Sequence, residues 1–130
     1  MGQQQILLIV LGVIIVGIAI VVGINLFNAN SISSDRDAIV SDLNNLAAIA
    51  HEYYSKPTAM GGGGQSFASF TMPTGLSSNA NGSYSISTAG SATGIQFTSV
   101  GTQIVSGSNY VTETMNVKVP PLVDSVAVVY

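Results

Sequence analysis

Residues 6–27, ILLIVLGVIIVGIAIVVGINLF, carry neither a charge nor a proline, and residues 6–24 are wholly apolar with glycine included. A helix needs roughly 20 such residues to cross a bilayer core of ~30 Å. In lipid, a single segment satisfies its own backbone groups only as a helix. The chain therefore reads as a hydrophobic helix at the N-terminus with a mostly polar domain behind it. A secretory signal fits this stretch poorly. It lacks a basic n-region, its apolar run exceeds the roughly 7–15 residues of an h-region, and no small-x-small cleavage site follows. The segment is expected to be retained.

Ile6, Leu7, Ile9, Val10, Val13, Ile14, Val16, Ile20, Ile24 and Phe27 are the expected apolar contacts of this helix. Three glutamines, ending in Gln5, give it a polar start. Gly12, Ala19 and Gly23 fall at spacings of seven and four, on one side of a helix. Small residues there let backbones approach closely within a membrane. Glycine is also simply common in membrane helices.

From Asn25 the pattern turns polar, and Ser34 with Asp37 fits a capping box that would start a new helix. The alternatives are one helix of ~75 Å from Gln4 to Tyr54, or a helix loosened between residues 23 and 34. Asp35 and Asp37 would supply negative charge near such a helix start. Ile32, Ile39, Leu43, Leu46, Ala50 and Tyr53 recur at helical spacing. This face is expected to be covered by a sheet, with Ile39, Leu43, Leu46, Ala50 and Tyr53 in the helix–sheet core. Pro57 ends the helix.

The glycine-rich stretch 58–66 reads as a flexible connector. It is not a phosphate loop, because the Lys-Ser/Thr pair and the strand–loop–helix setting are missing. Beyond it, runs rich in Val, Ile, Thr, Tyr and Phe alternate with Gly, Ser and Asn, a strand-and-turn signature. Candidate strands are 67–72, 83–88, 94–100, 102–105, 110–119 and 122–130. Tyr84 pairs with Ile86 on one face, and Ile95 with Phe97 and Ser99. A turn at 106–109 makes a hairpin, and Pro120-Pro121 breaks the ladder. The expected fold is α+β: a long N-terminal hydrophobic-then-amphipathic helix packed on a small antiparallel β-sheet domain. Its parts are residues 1–30 (hydrophobic helix), 31–57 (amphipathic continuation), 58–66 (connector) and 67–130 (β-rich head).

Chemistry is sparse. Charged residues make up 7% of the chain and the net charge is −3. No basic patch supports nucleic-acid binding. A surface with so little like-charge repulsion suits packing against copies of itself, and it also suits a glycosylated surface protein. There is no cysteine, which excludes disulfides and thiolate metal sites. His51 beside Glu52 is a weak acid/base pair, since sequence neighbours point apart on a helix. No second histidine and no cluster at metal-ligand spacing accompanies them. No catalytic residue, metal ligand or cofactor site is assigned, and the chain is not expected to be an enzyme. Asn81-Gly82-Ser83 matches the N-glycosylation triplet, making Asn81 a candidate acceptor, but it also reads as an ordinary turn. The Ser/Thr-rich region 77–102 has the composition of an O-glycosylated segment.

The layout resembles the type IV pilin superfamily. The likeness rests on the short polar start, the proximal glycine, the uncharged apolar run and the amphipathic continuation AIVSDLNNLAAIAHEYY. It implies a long helix beneath an antiparallel sheet. It also implies hydrophobic helix halves that wait as single-pass segments in the cytoplasmic membrane and then bundle into the core of a surface filament. The family's usual mature start carries a glutamate at the fifth position, thought to pair with a neighbour's N-terminal amine. With Met1 as the mature start, Gln5 stands there, able to hydrogen-bond but not to form that ion pair. Family leaders end in glycine, so Gly2 marks an alternative boundary. The mid-helix proline, the basic leader and the C-terminal disulfide of the family are missing.

The resemblance implies a structural subunit of an extracellular filament on the cell surface. The expected partners are copies of the chain, the cytoplasmic membrane before assembly and a pilus assembly machinery. The alternative is a single-pass pseudopilin or membrane-anchored surface binding domain that builds no long filament.

Overall fold

The computed structural model describes residues 2–119 and 125–129, the last five by their backbone course. Helix α1 (Gly2–Ser55) runs 54 residues without a break, about 80 Å at the standard rise. No proline precedes Pro57 to interrupt it. Of the two alternatives the continuous helix is the one present, and the capping box at Ser34 and Asp37 starts no new helix. A capping motif acts only where the preceding residue leaves helical geometry. Here the turn upstream is already helical, and propagation adds one backbone bond per residue fixed.

Four strands follow: β1 (Gly82–Thr88), β2 (Gly94–Ser106), β3 (Asn109–Lys118) and β4 (Ser125–Val129). They form one sheet in the order β1-β2-β3-β4, and every neighbouring pair is antiparallel. The fold is thus α+β, a long helix on a small meandering sheet. Tyr110 stands opposite Ile104, and Ser106 opposite Asn109 closes the β2–β3 hairpin.

The strands bury alternate residues, as a sheet with one covered face must. Ile95, Phe97 and Ser99 of β2 and Val111, Glu113, Met115 and Val117 of β3 face the helix. Ile39, Leu43, Leu46, Ala47 and Ala50 meet them, with Phe67, Phe70 and Tyr84 completing the core. Ile32, Tyr53 and Ile86 are partly buried against it.

Strand β2 runs back along the helix. At its start, Gly94 hydrogen-bonds Ser91, whose carbonyl accepts from Phe67 N, and the Phe67 ring stacks on Tyr54 at 4.9 Å near the helix end. Eight residues further along β2, Thr102 bonds Asp35. The helix covers ~28 Å between Tyr54 and Asp35, and the strand covers ~26 Å between Gly94 and Thr102, so the two run nearly alongside.

Several expectations change. Residues 67–72 form no strand: Phe67 to Phe70 make a turn, with Phe70 N donating to Phe67 O at 3.1 Å and Ser69 at a φ of 66°. The two apolar rings there are three residues apart, and a turn sends both inward where a strand would send them to opposite faces. Residues 94–100 and 102–105 belong to one strand, whose register slips between Val100 and Ile104. Of the expected last strand, Ser125–Val129 is present, while residues 122–124 and 130, with Pro120-Pro121 and Met1, lie outside the described residues.

The glycine stretch is a closed cap rather than a loose connector. Gly63 N donates to Tyr53 O at 2.7 Å, Gln65 N to Tyr54 O at 2.8 Å and Gly64 N to Lys56 O at 3.0 Å. These satisfy carbonyls that a helix end otherwise leaves without partners. Glycine is needed because the chain folds directly back on the helix: a Cβ on Gly63 would overlap the Ser66 carbonyl and the Tyr53 ring.

Candidate functional site

The helix divides into two halves with opposite surroundings. From Ile6 to Phe27 the large apolar side chains stand between 50% and 71% exposed, Val10 at the low end and Phe27 at the high end. Ile6, Leu7, Ile9, Val13, Ile14, Val16, Ile20 and Ile24 all lie within that range. They cover the helix all round, the pattern of a segment surrounded by apolar matter rather than resting on one face. The helix is long and apolar enough to cross a membrane. Gly12 and Gly23 have open space where a Cβ would be. At 100° per residue Gln5, Gly12, Ala19 and Gly23 fall on one stripe of this exposed stalk.

The second half of the helix is bolted to the sheet by polar contacts at its core-facing side. Asp35 is a buried member of the helix. Its Oδ2 accepts Thr102 N at 3.0 Å and Gln103 N at 3.1 Å, and its Oδ1 accepts Thr102 Oγ1 at 3.2 Å. These donors sit where β2 loses register, so the carboxylate replaces sheet partners that the irregularity removes.

Two turns on, Asp42 Oδ2 accepts Tyr84 OH at 2.5 Å, Asn79 Nδ2 at 2.8 Å and Asn81 Nδ2 at 2.9 Å. The hydrogen bonds from Asn81 and then Tyr84 hold the Asp42 carboxyl below its ordinary range, against the opposing effect of burial. Burial, followed by the Asp42 carboxylate, pushes the Tyr84 phenol well above its usual value. Asn79 Oδ1 also accepts Asn81 N at 2.9 Å and Gly82 N at 3.1 Å, an Asx turn that presents both amides to Asp42. Asn81, the candidate glycan acceptor, therefore has its amide nitrogen engaged with the helix.

The third bolt is an ion pair. Glu113 is fully buried on the covered face of β3, and Arg36 Nε lies 3.1 Å from its Oε1. Burial pushes the Glu113 carboxyl up, and the Arg36 guanidinium partly offsets this. Ser99 Oγ, on the neighbouring strand, donates to the Glu113 carbonyl at 3.2 Å.

At the far end an aromatic cluster closes the head. Tyr53 meets Phe70 edge-on at 5.4 Å, Phe70 meets Phe97 at 5.8 Å, and His51 meets Phe67 at 6.0 Å. Tyr53 OH donates to Ala68 O at 3.1 Å. His51 packs here against a ring, and Glu52 is exposed beside it. Among the described residues no group of three His, Asp or Glu side chains is placed to hold a metal ion.

Of the expected core residues, Ile39, Leu43, Leu46 and Ala50 are buried and Tyr53 is half-buried. Asp35 and Asp42, which are not among the expected core residues, both point into the junction. At seven residues apart they share a helical stripe. Glu113 also had a signal, since it stands between Val111 and Met115 in the inward alternation.

The class defined by this geometry is a stalk-and-head α+β protein: a membrane-compatible apolar helix rigidly joined to a small antiparallel head. No family model, no curated protein and no solved structure matches the chain.

Proposed function

We propose that the chain is the structural subunit of an extracellular type IV pilus-like filament, inserted first in the cytoplasmic membrane through residues 6–27 and then polymerising through the same helix. The observation that carries this reading is the asymmetry of α1. Its first half exposes 17 large apolar side chains, while the apolar face of its second half is buried under the sheet. A soluble monomer does not keep an apolar surface of that size in water. Burying one such side chain from water is worth roughly 1.5–3 kcal/mol. Transfer from lipid to a helix bundle gains less, because lipid is already apolar, so close packing along Gly12, Ala19 and Gly23 has to favour the bundle.

The test is electron microscopy of material sheared from the surface of cells producing the chain, with mass spectrometry of the subunit. Thin filaments composed of this protein are the expected result, and the N-terminal mass then reports whether Met1-Gly2 is retained. Protein that stays in the membrane fraction, with no filament containing it, supports the alternative of an anchored pseudopilin or binding domain. An exposed aromatic groove on the sheet would favour that alternative. Among the described residues, Tyr110 is the one exposed aromatic of the sheet.

A further inference from the structure

We propose that the tip of the β2–β3 hairpin is a foot that seats the head on the lipid headgroup layer, with Ile104 and Tyr110 as its apolar contacts. This rests on the membrane stage of the reading above and adds where the head sits during it.

The level of the tip carries the argument. Strand β2 runs back along the helix and reaches the level of Asp35 at Thr102. Asp35 stands eight residues above Phe27, the end of the apolar run, or ~12 Å. Four further residues take the strand from Thr102 to Ser106, ~13 Å, so the turn at Gly107 comes level with Phe27. Consistent with this, Phe27, Asn30, Thr102 and Gln103 line one cavity of about 430 Å³ between the helix and the hairpin. A helix that crosses a bilayer with residues 6–27 therefore brings the hairpin tip into the headgroup layer, which adds roughly 5–8 Å on each side of the hydrocarbon core.

The chemistry of the tip fits that layer. Ile104 is 50% and Tyr110 45% exposed, paired across the hairpin on the face turned away from the helix. A tyrosine, apolar in its ring and polar at its hydroxyl, is the residue type enriched at membrane–water boundaries. Residues 100–112 carry no charge, nor do residues 1–34. The first charge above the apolar run, Asp35, is turned inward on backbone amides. Everything near the boundary is thus uncharged, with apolar side chains presented at the level where the span ends. A second copy is the competing occupant. Continuity with the end of the apolar span favours lipid.

The chain contains no tryptophan, so single tryptophans report their own positions. The full chain is placed in phosphatidylcholine vesicles at low protein-to-lipid ratio as four variants: Ile104→Trp, Tyr110→Trp, Val22→Trp in the apolar run, and Met60→Trp, exposed at the opposite end of the head. Fluorescence is compared in ordinary lipid and in lipid brominated high on the acyl chain. The foot predicts a blue-shifted, quenched signal at 104, 110 and 22, and an unshifted, unquenched one at 60. Quenching at 22 without quenching at 104 or 110 overturns the foot and leaves the membrane stage standing. The foot is also overturned if the shift at 110 appears only as copies per vesicle rise, since a second copy then covers the patch. An unquenched signal at 22 overturns the membrane stage and the foot together.

Discussion

Gly101 leaves room for the carboxylate of Asp35: a Cβ at position 101 would lie inside 3 Å of Asp35 Oδ2. The two residues are 66 positions apart, on strand and helix, and together they fix the head on the stalk. Asp35→Ala strands two backbone amides at a break in the ladder and is expected to lower stability by about 1–3 kcal/mol. Gly101→Ala displaces the same carboxylate and is expected to lose a similar amount. If both single variants break one contact, the double variant loses less than their sum. Urea unfolding of the full chain in detergent, followed by tyrosine circular dichroism, measures all three, and strict additivity would disprove the coupling.

The glycine stretch makes a second contrast. Gly63 has backbone and ring atoms where a Cβ would go, whereas Gly75 has open space and no unusual backbone angle. Gly63→Ala is expected to destabilise by about 1–3 kcal/mol through overpacking. Gly75→Ala is expected to be neutral or stabilising by up to about 1 kcal/mol, because it restricts the unfolded chain. A loose linker would tolerate both substitutions equally, and equal unfolding midpoints for the two would return residues 58–66 to that description.

What was legible in the sequence is what one element shows by itself. The apolar run from Ile6, the helical spacing of Ile39, Leu43, Leu46 and Ala50, and the alternation of Ile95 with Phe97 each need only local periodicity. The bolts are not local. Asp35 finds Thr102 across 67 residues and Asp42 finds Tyr84 across 42, and spacing within a helix says nothing of such partners. The turn at 67–70 was hidden for a related reason. Aromatic composition favours a strand on average, but Phe67 and Phe70 are drawn into one core from positions three apart, which alternation cannot do. The tightness of the glycine stretch depends on the helix end it folds over, and composition alone reads glycine as freedom.

Two carboxylates at the junction should respond to pH with opposite signs. Asp42 has its folded pKa lowered, so its contribution to stability is present above the unfolded value, about 4 for aspartate, and is lost as pH falls through the folded value. Glu113 has its folded pKa raised. The folded state then holds the proton more tightly, so stability is greater below the unfolded value and is lost as pH rises through the folded one. Glu113→Gln removes this second dependence, and the parent chain should gain stability relative to that variant on acidification from neutral pH. Asp42→Asn should show the reverse, with the advantage of the parent shrinking as pH falls. Parallel stability–pH curves for parent and Glu113→Gln would show that burial does not govern this carboxyl.

The stalk offers the sharpest test of assembly. Val16 lies near the middle of the apolar run, 57% exposed, with no residue of the head near it. An aspartate there costs roughly 2.5–3.5 kcal/mol at the centre of a membrane helix on insertion scales. In a dry bundle it would recur in every copy, each charge close to its neighbours'. Val16→Asp is therefore expected to abolish filaments, while Val16→Leu, which keeps the side chain apolar, leaves them intact. Head folding is expected to be unaffected in both, since Ile32, where the helix first packs against the core, lies a full sixteen residues further on. Counting filaments by electron microscopy against folded subunit in the membrane fraction separates an assembly defect from a failure to insert. Normal filaments from Val16→Asp would rule out a bundle of these helices as the filament core.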